Sequence, residues 1–260
     1  MTTHTPLAAE GTVSHVVAGA IADICFGHPK SNSLPSTVLH GLAQAIDAVG
    51  ARDDVRVITL RSYGTGAFCA GASFDELASI RDAAAGKEFF MGFARVILAM
   101  IRSPKPIVAR VHGKAVGGGV GIAAAADYAI ATGAAAVRLS ELAVGIGPFV
   151  VGPVIERKVG SAAFGAMALD ADWRDAAWAE RHALYARVTT DVASLDSAVG
   201  ALASALAAAN PDAVARIKRA AWRDTDAWPQ LLEERAAMSG TLVLSPHART
   251  AIARFASGAR

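Results

Sequence analysis

Hydrophobic and polar positions follow two different periods along the first half of the chain. Residues 12–26 alternate and are rich in Val and Ile, and a break near Gly19 predicts two strands joined as a β-hairpin. Residues 55–61 form a short apolar run that predicts another strand. Apolar side chains at helical spacing predict helices over residues 36–49 and 89–101, and a further helix is predicted over residues 75–83.

The second half of the chain continues this alternation before it becomes helical. Two short strands are predicted at residues 128–131 and 136–139, so the repeating unit is strand, strand, helix. Such repetition indicates successive turns of chain stacked on one another. From Trp173 onward the sequence is rich in Ala, Arg and Glu and favours helices. We therefore predict a mixed α/β core over residues 1–200 and a helical region over residues 201–260.

Three consecutive glycines, Gly117-Gly118-Gly119, stand between an apolar extended run at residues 106–111 and an alanine-rich run at residues 122–126. This order predicts a strand that ends sharply and a helix that begins at once. Glycine lets a ligand approach the main chain, and the first N–H groups of a helix have no partner within it. We expect either a site for an oxyanion or phosphate at this junction, or a tight turn without a ligand.

Composition narrows the class of protein. The 260 residues carry 25 basic and 23 acidic side chains without a long basic run, so we expect no nucleic acid partner and favour a small anionic ligand. The longest apolar stretch, residues 115–137, is broken by Asp127, which predicts a buried helix and strand and no membrane span. The N-terminus does not resemble a secretory signal, so a cytoplasmic location is expected. Cys25 and Cys69 are predicted to be reduced thiols.

Several familiar site motifs are absent from the sequence. It has neither a Gly-x-Ser-x-Gly nucleophile motif nor a His-x-x-x-His spacing, so no metal site is expected. Gly113-Lys114 lacks the upstream glycine and the following Ser or Thr of a Walker A loop. Residues 119–124 form a loose dinucleotide-binding pattern with Glu141 about 20 residues further on. A nicotinamide-dependent oxidoreductase is therefore one alternative.

A more specific pattern needs two loops together. Residues 68–77 and residues 112–122 are both predicted strand-to-helix corners made of small residues, so each can offer one backbone N–H to the same oxygen. Two such donors on a thioester carbonyl would stabilise the enolate that forms when an α-proton leaves. Here the sequence resembles the crotonase superfamily, also called the enoyl-CoA hydratase/isomerase family. The resemblance spans residues 19–255 and is carried by residues 28–34, 68–77, 105–119 and 139–148.

The resemblance implies a crotonase-like ββα spiral core and an acyl-CoA thioester as substrate, with coenzyme A bound as part of the substrate and no other cofactor. It places the oxyanion donors on the backbone N–H groups of Ala72 and Gly118. The coenzyme A site would be lined by the loop that contains Ala70 and Ala72, and Lys30 would meet the phosphates, unless it is simply a solvated loop lysine.

The resemblance also implies a homotrimer or a hexamer, in which C-terminal helices pack on a neighbouring subunit. The apolar side chains of Ile252 and Phe255 fit that role, and they would equally fit packing onto the core of their own chain.

The sequence departs from the family's hydratases at one of two glutamates. Glu141 matches one of them, but the second should stand three residues after Gly118, and that position is Gly121. Residues 149–151 are Phe-Val-Val, which should make the surroundings of Glu141 drier. Dryness raises the proton affinity of a carboxylate and favours proton transfer at carbon over hydration. Chemistry like that of the family's Δ3-Δ2-enoyl-CoA isomerases, which rely on a glutamate at the Glu141 position, is therefore favoured.

Two further alternatives remain open. A hydratase could combine Glu141 with another acid, for which Asp75 and Glu76 are candidates, although both also suit the exposed start of a helix. A non-catalytic acyl-CoA-binding trimer would explain the loss of a carboxylate at Gly121. Asp127 follows the alanine run, and we expect it to be a buried structural hydrogen-bond acceptor.

Overall fold

A computed structural model describes residues 7–256 as an α/β fold organised around a six-stranded sheet. The strands are β1 (Thr12–Ala18), β2 (Ile21–Gly27), β3 (Val57–Ser62), β4 (Ile107–Val111), β5 (Ala115–Val116), β6 (Tyr128–Thr132), β7 (Val137–Arg138) and β8 (Arg187–Thr189). The large sheet has the order β1-β2-β3-β4-β6-β8, in which β1 and β2 are antiparallel and the other neighbouring pairs are parallel. Strands β5 and β7 pair in parallel as a separate small sheet.

Helices pack on both faces of the large sheet. They are α1 (Ser36–Gly50), α2 (Phe74–Ser79), α3 (Ala83–Arg102), α4 (Gly118–Ala125), α5 (Gly152–Val159), α6 (Ser161–Asp170), α7 (Ala176–Arg181), α8 (Val192–Ala208), α9 (Pro211–Ala221), α10 (Trp228–Leu242) and α11 (Pro246–Ala256). Among the helices of residues 7–256, none alone has the length and hydropathy of a membrane span, and the pair α8 and α9 reaches both only together, across a bend of 114°.

The predicted hairpin at the start of the chain is confirmed. Ala18 of β1 lies opposite Ile21 of β2, and Gly19 in the turn between them has a φ of 59°, which glycine adopts readily. The predicted helix at residues 36–49 is α1. The helix predicted at residues 89–101 begins earlier, at Ala83, because the Asp82 side chain accepts a hydrogen bond from the Ala85 N–H and caps it.

The other helix boundaries and the shortest strands differ from the sequence-based prediction. The helix predicted at residues 75–83 ends at Ser79 as α2, and a separate α3 follows. Strand β5 and strand β8 were not predicted, and β8 interrupts the helical region that was expected from Trp173 onward. Residue 200 lies inside α8. The division of the chain into a core and a C-terminal helical region at that position stays a prediction.

The core is divided by the large sheet. Its major part lies between one face of the sheet and helices α1, α3, α4 and α10, whereas a smaller cluster lies between the other face and α8. Helix α10 packs on α3 of the same chain, with Gly240 against Gly86 and Glu233 paired with Lys87. Ile252 of α11 is buried in this major core, and the Phe255 ring stacks on Phe74 at a centroid distance of 5.3 Å. Both C-terminal side chains therefore pack on their own chain.

Asp127 is a structural hydrogen-bond acceptor, as predicted. Its carboxylate accepts hydrogen bonds from the Ile107 N–H and the Trp222 indole N–H, both at 2.7 Å. The buried ammonium of Lys218 lies 2.8 Å from the same carboxylate. These contacts join the beginning of β4 to the end of α9.

Candidate active site

Two loops of small residues run side by side at the carboxyl ends of β3 and β4. Cys69 and Ala115 form an isolated parallel bridge, in which the Cys69 N–H donates to the Lys114 carbonyl at 3.2 Å and the Val116 N–H donates to the Cys69 carbonyl at 2.9 Å. Ala72 and Gly118 each stand three residues beyond this bridge, and both line the same cavity. The structure therefore brings together the two loops that the sequence paired.

The N–H groups of Ala72 and Gly118 are left unpaired by this geometry. The Leu34 N–H donates to the Gly71 carbonyl, and the Leu34 carbonyl accepts from the Ser73 N–H. This pairing leaves out the N–H of Ala72, which stands between Gly71 and Ser73. Gly118 is the first residue of α4, where a helix has no carbonyl to offer its N–H groups. Within residues 7–256, neither N–H donates to a backbone or side-chain acceptor. Such a pair of donors suits an oxygen that gains negative charge.

Glu141 brings a carboxylate against the same junction. Gly117 has a φ of 52°, and a Cβ built on it would lie only 2.8 Å from Glu141 Oε1. Glycine at this position therefore supplies both the backbone turn and the space for the carboxylate. The main chain fixes the approach, since the Gly117 N–H donates to the Arg138 carbonyl at 2.8 Å and the Ile146 N–H donates to the Glu141 carbonyl at 2.9 Å.

The Glu141 carboxylate is strongly perturbed by its surroundings. Part of the residue is accessible, but Oε2 is shut off from solvent and has no hydrogen-bond partner among residues 7–256. Burial raises the pKa of Glu141 from 4.5 to about 7, although backbone hydrogen bonds at Glu141 and Ser140 oppose the rise. A carboxyl group with such a pKa both accepts and returns a proton near neutral pH.

The second hydratase glutamate has no replacement in the cavity. A Cβ built on Gly121 would lie 2.5 Å from Val151 Cγ1 and 2.8 Å from Val151 Cβ, so the valine fills the space that a side chain at position 121 would enter. Of the cavity-lining residues within the described range 7–256, Glu141 is the one acid. The side chains of residues 149–151 thus make the surroundings of Glu141 crowded and apolar, as the sequence predicts.

Neither alternative acid reaches the cavity wall. Asp75 forms an ion pair with Lys30, and both side chains are more than half exposed, at 59% and 65%. Glu76 instead accepts hydrogen bonds from the N–H and the hydroxyl of Ser36, which holds α2 against the start of α1. Both acids stand in the first turn of α2, but only Asp75 is exposed as the alternative interpretation expected, whereas Glu76 is partly buried. Coenzyme A binding by Lys30 stays a prediction.

Aromatic and aliphatic side chains make up most of the remaining wall. Phe90 and Phe93 of α3 line the cavity, whereas Phe89 is buried in the core and is not part of the lining. Ala70 also lines it, and its predicted contact with coenzyme A stays a prediction. Ser239 of α10 lines it too, and no local sequence pattern indicates this, because Ser239 is distant along the chain from the other lining residues.

His112, in the same motif as the glycines, lies outside this cavity. It is buried, and both of its ring nitrogens lack a hydrogen-bond partner among residues 7–256. Burial, together with the nearby charge of Arg110, lowers the pKa of His112 to about 4. The imidazole is therefore neutral at physiological pH.

A cavity that combines two backbone N–H donors with a single buried carboxylate contains the groups that a reaction with an oxyanion and a moving proton would need. Comparison with known proteins shows which family this chain is similar to. The family model "Enoyl-CoA hydratase/isomerase" matches residues 17–256. The chain belongs to the enoyl-CoA hydratase/isomerase family.

Curated relatives match over part of their length. The mitochondrial methylglutaconyl-CoA hydratase of Rattus norvegicus is 36% identical over 117 residues, which cover 45% of this chain and 37% of that protein. A (7aS)-7a-methyl-1,5-dioxo-2,3,5,6,7,7a-hexahydro-1H-indene-carboxyl-CoA hydrolase of Mycobacterium tuberculosis is 31% identical over 122 residues, which cover 47% of this chain and 49% of the hydrolase. The chain thus spans less than half of the length of either relative.

Solved structures match over nearly the whole chain. An enoyl-CoA hydratase from Bacillus halodurans superposes with a TM-score of 0.85 at 22% identity, covering 93% of this chain and 98% of that one. An enoyl-CoA hydratase from Mycobacterium avium superposes with a TM-score of 0.80 at 25% identity, covering 97% and 98%. The predicted crotonase-like fold is confirmed by these similarities.

Proposed function

We propose that this protein is an acyl-CoA enzyme that moves a double bond by proton transfer at carbon, as a Δ3-Δ2-enoyl-CoA isomerase does. The observation that carries this proposal is the single buried carboxylate of Glu141 beside two unpaired N–H groups, with Val151 filling the place of a second acid. Coenzyme A enters as part of the substrate.

The reaction needs one base and one oxyanion site. The thioester oxygen accepts hydrogen bonds from the N–H groups of Ala72 and Gly118. Glu141 takes a proton from carbon 2 of a 3-enoyl thioester, and the electron pair of that C–H bond delocalises onto the oxygen as a dienolate. Return of the same proton to carbon 4 places the double bond between carbons 2 and 3 and restores the Glu141 carboxylate. No atom is gained or lost.

The apolar wall favours this route over hydration. Adding water across a double bond requires groups that hold the water molecule and give and take its protons. Val151 and Phe149 occupy the side of the cavity where such a group would act, and Asp75 and Glu76 are engaged elsewhere. A carboxyl group with a pKa near 7 is suited to shuttling one proton.

A hydratase is the second candidate, since Rattus norvegicus and Mycobacterium avium relatives bear that name. Such an enzyme would use Glu141 with a water held by backbone groups alone.

Purified protein given 2-enoyl-CoA and 3-enoyl-CoA separates the two candidates. The proposal predicts that the 3-enoyl substrate is converted to the 2-enoyl product and that Glu141→Gln loses this turnover. Thioester absorbance and product analysis measure the conversion. Glu88→Gln is the matched control, because Glu88 is an exposed carboxylate paired with Arg95 on α3. Efficient formation of a 3-hydroxy product from the 2-enoyl substrate, or full activity in Glu141→Gln, contradicts the proposal.

A further inference from the structure

A second cavity, of about 390 Å³, lies at the opposite strand ends from the Glu141 site. Pro106 and Asp127, which line it, directly precede β4 and β6, whereas Gly118 follows β4 along the chain. Because β4 and β6 are parallel, their beginnings lie at one edge of the sheet and the active site lies at the other. The two cavities share no lining residue within residues 7–256, and this volume is within the range of small-molecule sites.

The walls of this second cavity are apolar on one side and cationic on the other. Leu206 of α8 and Val214 and Ile217 of α9 form the apolar side, and Ile217 is 69% exposed at the rim. Arg157 and Lys158 of α5 lie over the Trp222 ring, with Arg157 Cζ 5.8 Å and Lys158 Nζ 5.3 Å from its centroid. A ligand with an apolar body and an anionic end would match both sides.

The cations differ in how far their hydrogen-bonding capacity is used. The Lys218 ammonium donates to the carbonyls of Met100 and Lys105 at 2.7 and 2.9 Å, and it pairs with Asp127. Arg157 donates Nε and Nη2 to the Ala221 carbonyl at 3.2 and 2.7 Å.

Lys158 is the cation that has no such acceptor. Its ammonium donates no hydrogen bond to any residue of the range 7–256, and burial lowers its pKa. Asp127, whose charge acts on Lys158, already accepts from Ile107, Trp222 and Lys218. An ammonium whose three N–H groups meet no protein acceptor among residues 7–256 gains most from a single anionic partner.

We propose that this cavity binds a small organic monocarboxylate, with its carboxylate on Lys158 and its apolar body against Leu206, Val214 and Ile217. The unused donors belong to one ammonium, and the apolar side of the cavity favours an organic body, which inorganic phosphate lacks. The site is separate from the Glu141 chemistry and does not depend on the proposed reaction.

The indole N–H of Trp222 reports on this site directly. It is held by a hydrogen bond to Asp127 at 2.7 Å, and its ring faces Lys158. We would titrate 15N-labelled protein with octanoate and follow the Trp222 indole resonance, assigned from Trp222→Phe. Octanamide tests the need for charge, acetate tests the need for an apolar body, and inorganic phosphate tests the anion alone.

Octanoate is expected to shift the Trp222 resonance saturably and to bind more tightly than octanamide, acetate or phosphate. Lys158→Gln should weaken octanoate binding by about tenfold or more, since a charged hydrogen bond is lost. Arg219→Gln is the matched control, because it removes an equal charge from exposed surface of α9 outside the cavity. If Lys158→Gln fails to fold, Val214→Phe fills the apolar side and should weaken binding instead.

Three results would overturn the proposal. They are the absence of a saturable shift of Trp222 at millimolar octanoate, equal octanoate affinity in wild type and Lys158→Gln, and binding of phosphate or octanamide as tight as that of octanoate. A cavity covered by a second copy of the chain would give the first of these results.

Discussion

Replacing Glu141 by glutamine should change how the stability of the protein depends on pH. In the folded state burial raises the pKa of Glu141 from 4.5 to about 7. Between these values the folded protein holds the Glu141 proton while the unfolded chain releases it. The free energy of unfolding therefore falls as pH rises from about 4.5 to about 7, and the loss is complete above the folded-state pKa. Glutamine has nearly the same shape and does not titrate.

The size of the effect follows from the two pKa values. One factor of ten in proton affinity corresponds to roughly 1.4 kcal/mol, so the rise from 4.5 to about 7 corresponds to about 3 kcal/mol. The free energy of unfolding of Glu141→Gln minus that of the wild type should therefore be about 3 kcal/mol larger at pH 8 than at pH 4.

Urea unfolding at several pH values measures this difference. Glu88→Gln is the control, since the side-chain hydrogen bond from Arg95 holds the pKa of the exposed Glu88 carboxylate below its usual value. Removing the Glu88 carboxylate should slightly lower the free energy of unfolding at pH 8 relative to pH 4, which is the opposite sign. A constant difference between wild type and Glu141→Gln from pH 4 to pH 8 would refute the reasoning, because it would mean that the carboxyl group titrates normally in the folded protein.

The remaining predictions concern the second acid, coenzyme A, the core and the assembly. Gly121→Glu with Val151→Gly should add hydration of 2-enoyl-CoA, measured as 3-hydroxy product, whereas Gly121→Glu alone should destabilise the protein because the new side chain meets Val151. Lys30→Gln should raise KM for acyl-CoA by about two- to fivefold with little change in kcat, because an exposed charge contributes little. Asp127→Asn should cost about 3 kcal/mol in urea unfolding, because the Lys218 ammonium is left buried without its anion. Light scattering should give the mass of a trimer or a hexamer, and a monomer would contradict that expectation.

The sequence predicts the loops around the cavity better than it predicts the short strands and the contacts between distant helices. The glycine run, the small-residue loop around Ala72 and the position of Glu141 are short local patterns, and each has a direct backbone consequence. Even the departure at Gly121 is readable from spacing. The preference for an oxyanion over a phosphate at Gly118 depends on pairing the two loops, and the Cys69–Ala115 bridge shows that these loops lie side by side.

Other features depend on contacts between distant parts of the chain. Strand β8 has three residues and β5 has two, which is too short for a period of two to be recognised. Ser239 enters the cavity because α10 packs along α3, and no local pattern in either helix indicates that pairing. Likewise, the sequence does not show that the Lys218 ammonium donates hydrogen bonds to protein acceptors whereas that of Lys158, among residues 7–256, does not. Both lysines stand on helices.

Turnover of 3-enoyl-CoA in oxygen-18 water tests the central claim most directly. The account predicts a 2-enoyl product whose mass shows no oxygen-18, formed by wild type and not by Glu141→Gln, because Glu141 moves a proton between carbons and Val151 fills the place of the second acid that would activate water. A 3-hydroxyacyl product that carries oxygen-18 as the main product, or undiminished isomerisation by Glu141→Gln, would contradict it.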